Sequence, residues 1–111
     1  MKKFVVLYLG PRSTQLQMLE STPEAAQEGL KAWNEWGSRA GDGIVDMGNP
    51  LLEGREITAT GTSDTATEIG GYAIVQAEDI DRAQALFDNH PHLMTPGAKI
   101  HVHEVLVLPG M

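Results

Sequence analysis

The stretch that decides the fold is KFVVLYL, residues 3–9. It is rich in β-branched and aromatic residues and is stopped by Gly10-Pro11, so it reads as a strand. Side chains alternate along a strand, so Phe4, Val6 and Tyr8 share one face and Val5, Leu7 and Leu9 the other. Both sets are apolar, which marks a central strand covered on both sides. GYAIVQA, residues 71–77, repeats the pattern and predicts a second such strand.

Between them, STPE at 21–24 opens a helix, either through a Ser21/Glu24 capping box or through a Thr22 cap with Pro23 at the first helical position. Ala26, Gly29, Leu30, Trp33, Trp36, Gly37 and Ala40 recur at helical spacing and predict its apolar face, and Gly41-Asp42-Gly43 ends it. GIVDMG, 43–48, reads as a short strand ending at Asn49-Pro50, with Arg55 to Thr60 a further short strand folding back on it. The polar run Gly61 to Gly70 reads as a loop. Asp79 is placed to cap a second helix, IDRAQALFDN, whose buried stripe is Ile80, Ala83, Leu86 and Phe87 and which His90-Pro91 closes. A last strand runs from about Ala98 to Leu108.

The order β-α-β-β-α-β predicts a single α+β domain over 1–111: a ferredoxin-like four-stranded antiparallel sheet with two helices on one face. The helices satisfy only one face of strands that are apolar on both. The simplest cover for the other is the same face of a second copy, so a two-fold homodimer enclosing a shared barrel-like interior is expected.

Composition excludes several function classes. The net charge of -7 arises from fifteen acids against eight Lys and Arg that form no stripe, so neither nucleic acid nor an anionic membrane is an expected partner. With no cysteine there is no disulfide, thiolate metal site or cysteine nucleophile. The apolar run Phe4 to Leu9 is too short to span a bilayer or act as a signal-peptide core, and a soluble cytoplasmic protein is expected. Phosphate loops, nucleophile elbows and zinc-protease motifs do not occur in the sequence, and no cofactor is expected.

The segments MKKFVVLY, AGDGIVDMGNPL, GGYAIVQAEDIDRAQALFDNHPHL and IHVHEVLVLPGM together resemble the YCII-related proteins, including the branch known for a DGPF motif. The most specific part is the GGY strand leading into the Asp-capped helix and the His-Pro-His turn. The resemblance covers nearly the whole chain and implies a dimeric α/β barrel. It also implies a pocket that in some members carries a His and Asp pair, with a muconolactone-type dehalogenase among the relatives. His90 and His92 occupy the matching turn.

The chemistry-bearing residues are few. All four histidines fall in two His-x-His pairs. His90 and His92 are candidate general bases, since histidine titrates near neutrality without strong perturbation. The bland alternative is that His90 ends a helix and His92 is a turn residue. Asp46 interrupts an apolar strand and is either solvent-exposed or a third catalytic candidate. His101 and His103 share one strand face and could approach a divalent ion, yet a third ligand is not evident. No metal is assigned, and the pair is kept as a ligand-binding candidate. Tyr8, Tyr72, Trp33 and Trp36 are candidates for the walls of a small-molecule pocket, with core packing the alternative for each. Two functions follow: cofactor-free isomerisation or elimination on a small cyclic or lactone-like acid, using a histidine base, or a non-catalytic module that binds a small molecule or a partner.

Overall fold

The computed structural model describes residues 1–11, 20–65 and 68–110. Strand β1 covers Lys2–Leu9 and helix α1 Pro23–Ala40; a 3-10 turn, Gly41–Gly43, leads into β2, Ile44–Asp46. A hairpin follows, β3 Gly54–Thr58 and β4 Gly61–Thr65, then β5 Ile69–Ala77, helix α2 Ile80–Ala85, a 3-10 turn Pro91–Met94 and β6 Lys99–Glu104. The main sheet has the order β2-β5-β1-β6 with every pairing antiparallel, an α+β arrangement compatible with the ferredoxin-like pattern.

The two-faced strands are indeed the central pair. On one face Phe4, Val6, Tyr8, Ala73, Val75 and Ala77 are buried, and Trp36 from α1 with Ala83 and Phe87 from the α2 region complete the core. Both helices therefore cover the same side. Removing each large side chain from water contributes about 1.5–3 kcal/mol, so this cluster carries most of the fold's stability. The Trp36 indole N–H donates to the Leu86 carbonyl at 2.7 Å, which fixes α1 against the end of α2.

Local signals set the boundaries. Thr22 caps α1 by accepting from the Ala25 amide at 3.1 Å, with Pro23 at the first helical position, so the second of the two expected caps is the one used. Asp79 caps α2 by accepting from the Arg82 amide at 2.8 Å. Gly48 has φ 71, and a Cβ there would collide with the Tyr72 carbonyl, so only glycine lets the chain leaving β2 lie this close to β5.

Four expectations are corrected. Arg55 to Thr60 does not fold back on β2; its strand, Gly54–Thr58, pairs with Gly61–Thr65, so half of the expected loop is a strand in a separate two-stranded sheet, while Ala66 and Thr67 lie outside the described residues. The last strand ends at Glu104 rather than Leu108: its ladder with β1 pairs Lys99 to Glu104, and only the Val105 amide, on the Lys3 carbonyl, continues it. Ile80 and the first half of α1, including Ala26, Gly29 and Leu30, are exposed, because α1 reaches the core instead through Trp33, Trp36 and Ala40, and α2 with the turn after it through Ala83, Leu86 and Phe87. The second helix is shorter than its apolar stripe suggested: after Ala85 the chain continues in turns to Asn89.

Candidate functional site: an aromatic cage around the His90 turn

The sequence Asp88-Asn89-His90-Pro91-His92 builds its own turn. Asn89 takes the left-handed conformation, φ 58, which asparagine tolerates better than most residues. His90, preceding proline, is extended at φ -64 and ψ 136. Its ring then folds over the next turn, and Nδ1 accepts the His92 amide proton at 3.0 Å. An amide can only donate, so Nδ1 is the unprotonated nitrogen and Nε2 carries the hydrogen of the neutral ring. That Nε2–H faces the Tyr8 hydroxyl at 3.4 Å.

Around His90 stands a cage of rings. Trp36 and Trp33 lie with centroids 4.4 and 4.5 Å from it in edge contacts, Tyr8 at 5.2 Å and Phe87 at 5.6 Å. His90 is 1% exposed, the one polar side chain among the buried core residues described. Burial lowers its pKa to about 4, aided by repulsion from His92 and Arg39, so the ring is neutral at physiological pH. The same burial pushes the Tyr8 hydroxyl well above its ordinary value. The expected role for His90 at a helix C-terminus is replaced by another: it caps the following 3-10 turn and seals the core.

His92 is held differently. Its Nε2 lies 2.7 Å from the Leu9 carbonyl and 3.1 Å from that of Lys99, so the hydrogen resides on Nε2 and ties the turn to the end of β1 and the start of β6. Nδ1 has no partner among the described residues. The ring is half-buried and meets Tyr8 edge-on at 5.3 Å. Trp33, also half-buried, meets Tyr8 at 4.8 Å. His92 and Trp33 form the accessible rim of the cage, while Tyr8, Trp36, Phe87 and His90 form its floor.

The remaining sequence candidates lie elsewhere. Asp46 is exposed on β2, at the sheet edge opposite β6, and its carboxylate accepts from the Gly48 amide at 2.8 Å, a local turn contact. Three strand spacings, roughly 14 Å, separate those edge strands, so Asp46 is not brought to the His turn. Tyr72, His101 and His103 are on the open face of the sheet, with His101 opposite Leu7 and His103 opposite Val5. The two strand histidines have ring centroids 6.2 Å apart. No group of three or more metal-ligating side chains occurs among the described residues. The two His-x-His pairs therefore belong to different faces, and of the nine candidates all but the edge residue Asp46 divide into a helix-side set and an open-face set.

Two residues were not singled out from the sequence. Phe87, read from the sequence as core and not as a site residue, is part of the cage floor, in the turn that follows α2 and three residues before His90. Arg39 bears on the charge state of His90, and nothing in the local pattern marked it.

No helix among the described residues is long and apolar enough to cross a membrane. No family model matches the chain, and no curated protein shows significant similarity to it.

Proposed function

We propose that this chain is a YCII-related, homodimeric module whose aromatic cage binds a small cyclic or lactone-like acid, and that His92 is the base that moves a proton on that ligand without a cofactor. The observation that carries the reading is the state of His92. A backbone carbonyl holds its Nε2–H, its Nδ1 has no partner among the described residues, and its ring meets Tyr8 edge-on. A base needs a fixed tautomer and a free lone pair, and His92 has both among the described residues. His90 lacks the second, because its Nδ1 is already engaged. The flat Trp33 face suits a ring, and Arg39 supplies a positive charge in the neighbourhood for a carboxylate.

Pairing through the open sheet face accounts for Val5, Leu7, Leu9, Tyr72 and Ile74, which the two helices leave uncovered. A soluble cytoplasmic setting suits the absence of cysteine.

The alternative, recognition without catalysis, is favoured by one observation: no carboxylate is hydrogen-bonded to His92 among the described residues, so the imidazolium formed on proton abstraction has no countercharge. A thermal-shift screen with acidic lactones and small aromatic acids identifies the ligand, because only binding to the native state raises the midpoint. Solvent deuterium uptake into the bound compound, followed by NMR, then separates the readings. His92→Gln is expected to retain binding and lose exchange. Exchange that persists in His92→Gln removes His92 as the base, and a wild-type chain that binds without exchange leaves recognition alone.

A further inference from the structure

Two segments of the chain leave apolar side chains in water at diagonally opposite corners of the main sheet. After β6, the Val105 amide donates to the Lys3 carbonyl at 2.8 Å, and the ladder with β1 stops there. Leu106 and Val107 follow, each 79% exposed. This corner lies at the β6 edge, beside the start of β1. The β3–β4 hairpin leaves from the other end of the sheet and the other edge, since its approach is tied to the start of β5 through Leu51 to Gly70 and Pro50 to Gly71. Among the described residues its strands pair only with each other, and Ile57 is 78% exposed.

The size of the chain points the same way. A compact chain of this mass exposes about 6000 Å², whereas this one exposes 8044 Å². Its radius of gyration is 15.5 Å, against about 13 Å for a compact domain of this length. The surplus area exceeds the roughly 800 Å² that a standard interface removes from each partner.

We propose that in the homodimer the Val105–Leu108 segment of each copy packs on the β3–β4 hairpin of its partner, so that each chain clasps the other at two corners. The placement follows from symmetry. When two copies stack by their open faces, a two-fold axis along the remaining diagonal of the sheet exchanges the segment corner with the hairpin corner. The same operation crosses the two sets of strands near a right angle, which is one of the two preferred sheet packings. Leu106 and Val107 then meet Ile57 of the partner copy, and all three leave water. This inference rests on the homodimer proposed above and specifies its geometry.

The chain has no cysteine of its own, so single cysteines report the contact directly. Chains carrying Ile57→Cys and Leu106→Cys are mixed and treated with a short bifunctional maleimide. Both sites are exposed in the single chain, so neither change disturbs its core. The expected result is at least tenfold more cross-linked dimer in the mixture than in either chain alone. A full-length chain that is dimeric by light scattering but whose mixture cross-links no better than its parts overturns the clasp and leaves the dimer standing. Cross-linking by the Leu106→Cys chain alone also overturns it, since that places like corners together. A chain monomeric at every concentration overturns the dimer and the clasp with it. In a second measurement, a chain ending at Glu104 is expected to dimerise at least tenfold more weakly, and an unchanged dissociation constant contradicts the proposal.

Discussion

The two faces of the central sheet are built by alternate residues of the same strands, yet they end in opposite states. Phe4, Val6, Tyr8, Ala73 and Val75 are sealed under Trp36, Ala83 and Phe87, while Val5, Leu7, Tyr72 and Ile74, one step along the chain, lie on the face opposite helices α1 and α2. Composition does not distinguish the two sets. What separates them is which side the chain's own helices cover, and the contrast teaches that apolarity on a strand reports a need for cover without saying which molecule supplies it.

The largest effect expected from that contrast is on stability. Phe4→Ala deletes a fully buried ring and is expected to cost about 4 kcal/mol, the transfer loss plus the cavity left behind. Val5→Ala, at the adjacent position on the other face, is expected to cost less than about 1 kcal/mol in the single chain. Urea unfolding at concentrations too low for association measures both. Equal costs at the two positions would mean that the open face is already covered within one chain.

His90 offers the next largest effect because it is the titratable group of the sealed face. Its folded pKa, about 4, lies below the ordinary value of 6.5. The unfolded state therefore binds a proton first as the pH falls, so the contribution of the neutral ring is complete above about pH 6.5 and is lost on descending toward 4. The shift corresponds to about 3 kcal/mol. Comparing urea midpoints of the wild type and His90→Phe between pH 7 and 4 isolates this part from carboxylate titration. The wild type is expected to show the steeper acid loss, and parallel curves would place His90 in contact with solvent.

On the open face the expected effect is on association. Val5→Asp puts a carboxylate opposite Ile74 and His103, where a paired sheet must bury it, and is expected to weaken a homodimer at least a hundredfold. Sedimentation equilibrium reads this, with far-ultraviolet circular dichroism showing that the chain stays folded. An undiminished dimer would move the interface away from this face.

Much of this contrast was legible beforehand. Alternation in KFVVLYL and GYAIVQA identified the central strands, and Thr22 and Asp79 marked helix starts through backbone chemistry that operates within a few residues. The failures have a shared cause. GTSDT has no apolar alternation, and it is a strand only because Gly54–Thr58 supplies a ladder beside it. Val105 to Leu108 has strand composition, and it is not a strand because its ladder with β1 stops at the Val105–Lys3 hydrogen bond. Backbone partners are set by topology, and topology is not written in the composition of the segment concerned. The site divides in the same manner. His90 and His92 were identifiable as candidates from one turn, but the burial of His90 depends on Trp33 and Trp36, more than fifty residues earlier, so its neutrality and its commitment to the His92 amide could not be read locally.

The smallest effect sharpens the contrast within a single element. Helix α1 repeats the division of the sheet along its own length: its last two turns bring Trp33, Trp36 and Ala40 to the core, while Pro23 to Lys31, Leu30 included, is exposed. An exposed helical segment of that length is marginal in water, so its order rests on the cap and on continuity with the packed turns. Thr22→Ala removes the acceptor for the Ala25 amide and should cost about 1 kcal/mol locally. Because those turns can fray without disturbing the core, amide hydrogen exchange should accelerate several-fold from Ala25 to Lys31 and stay unchanged around Trp36, with little movement of the urea midpoint. Acceleration along the whole helix would instead show that α1 opens as one unit. The cap would then be coupled to the aromatic cage, and the His92 rim would share in every opening of the helix.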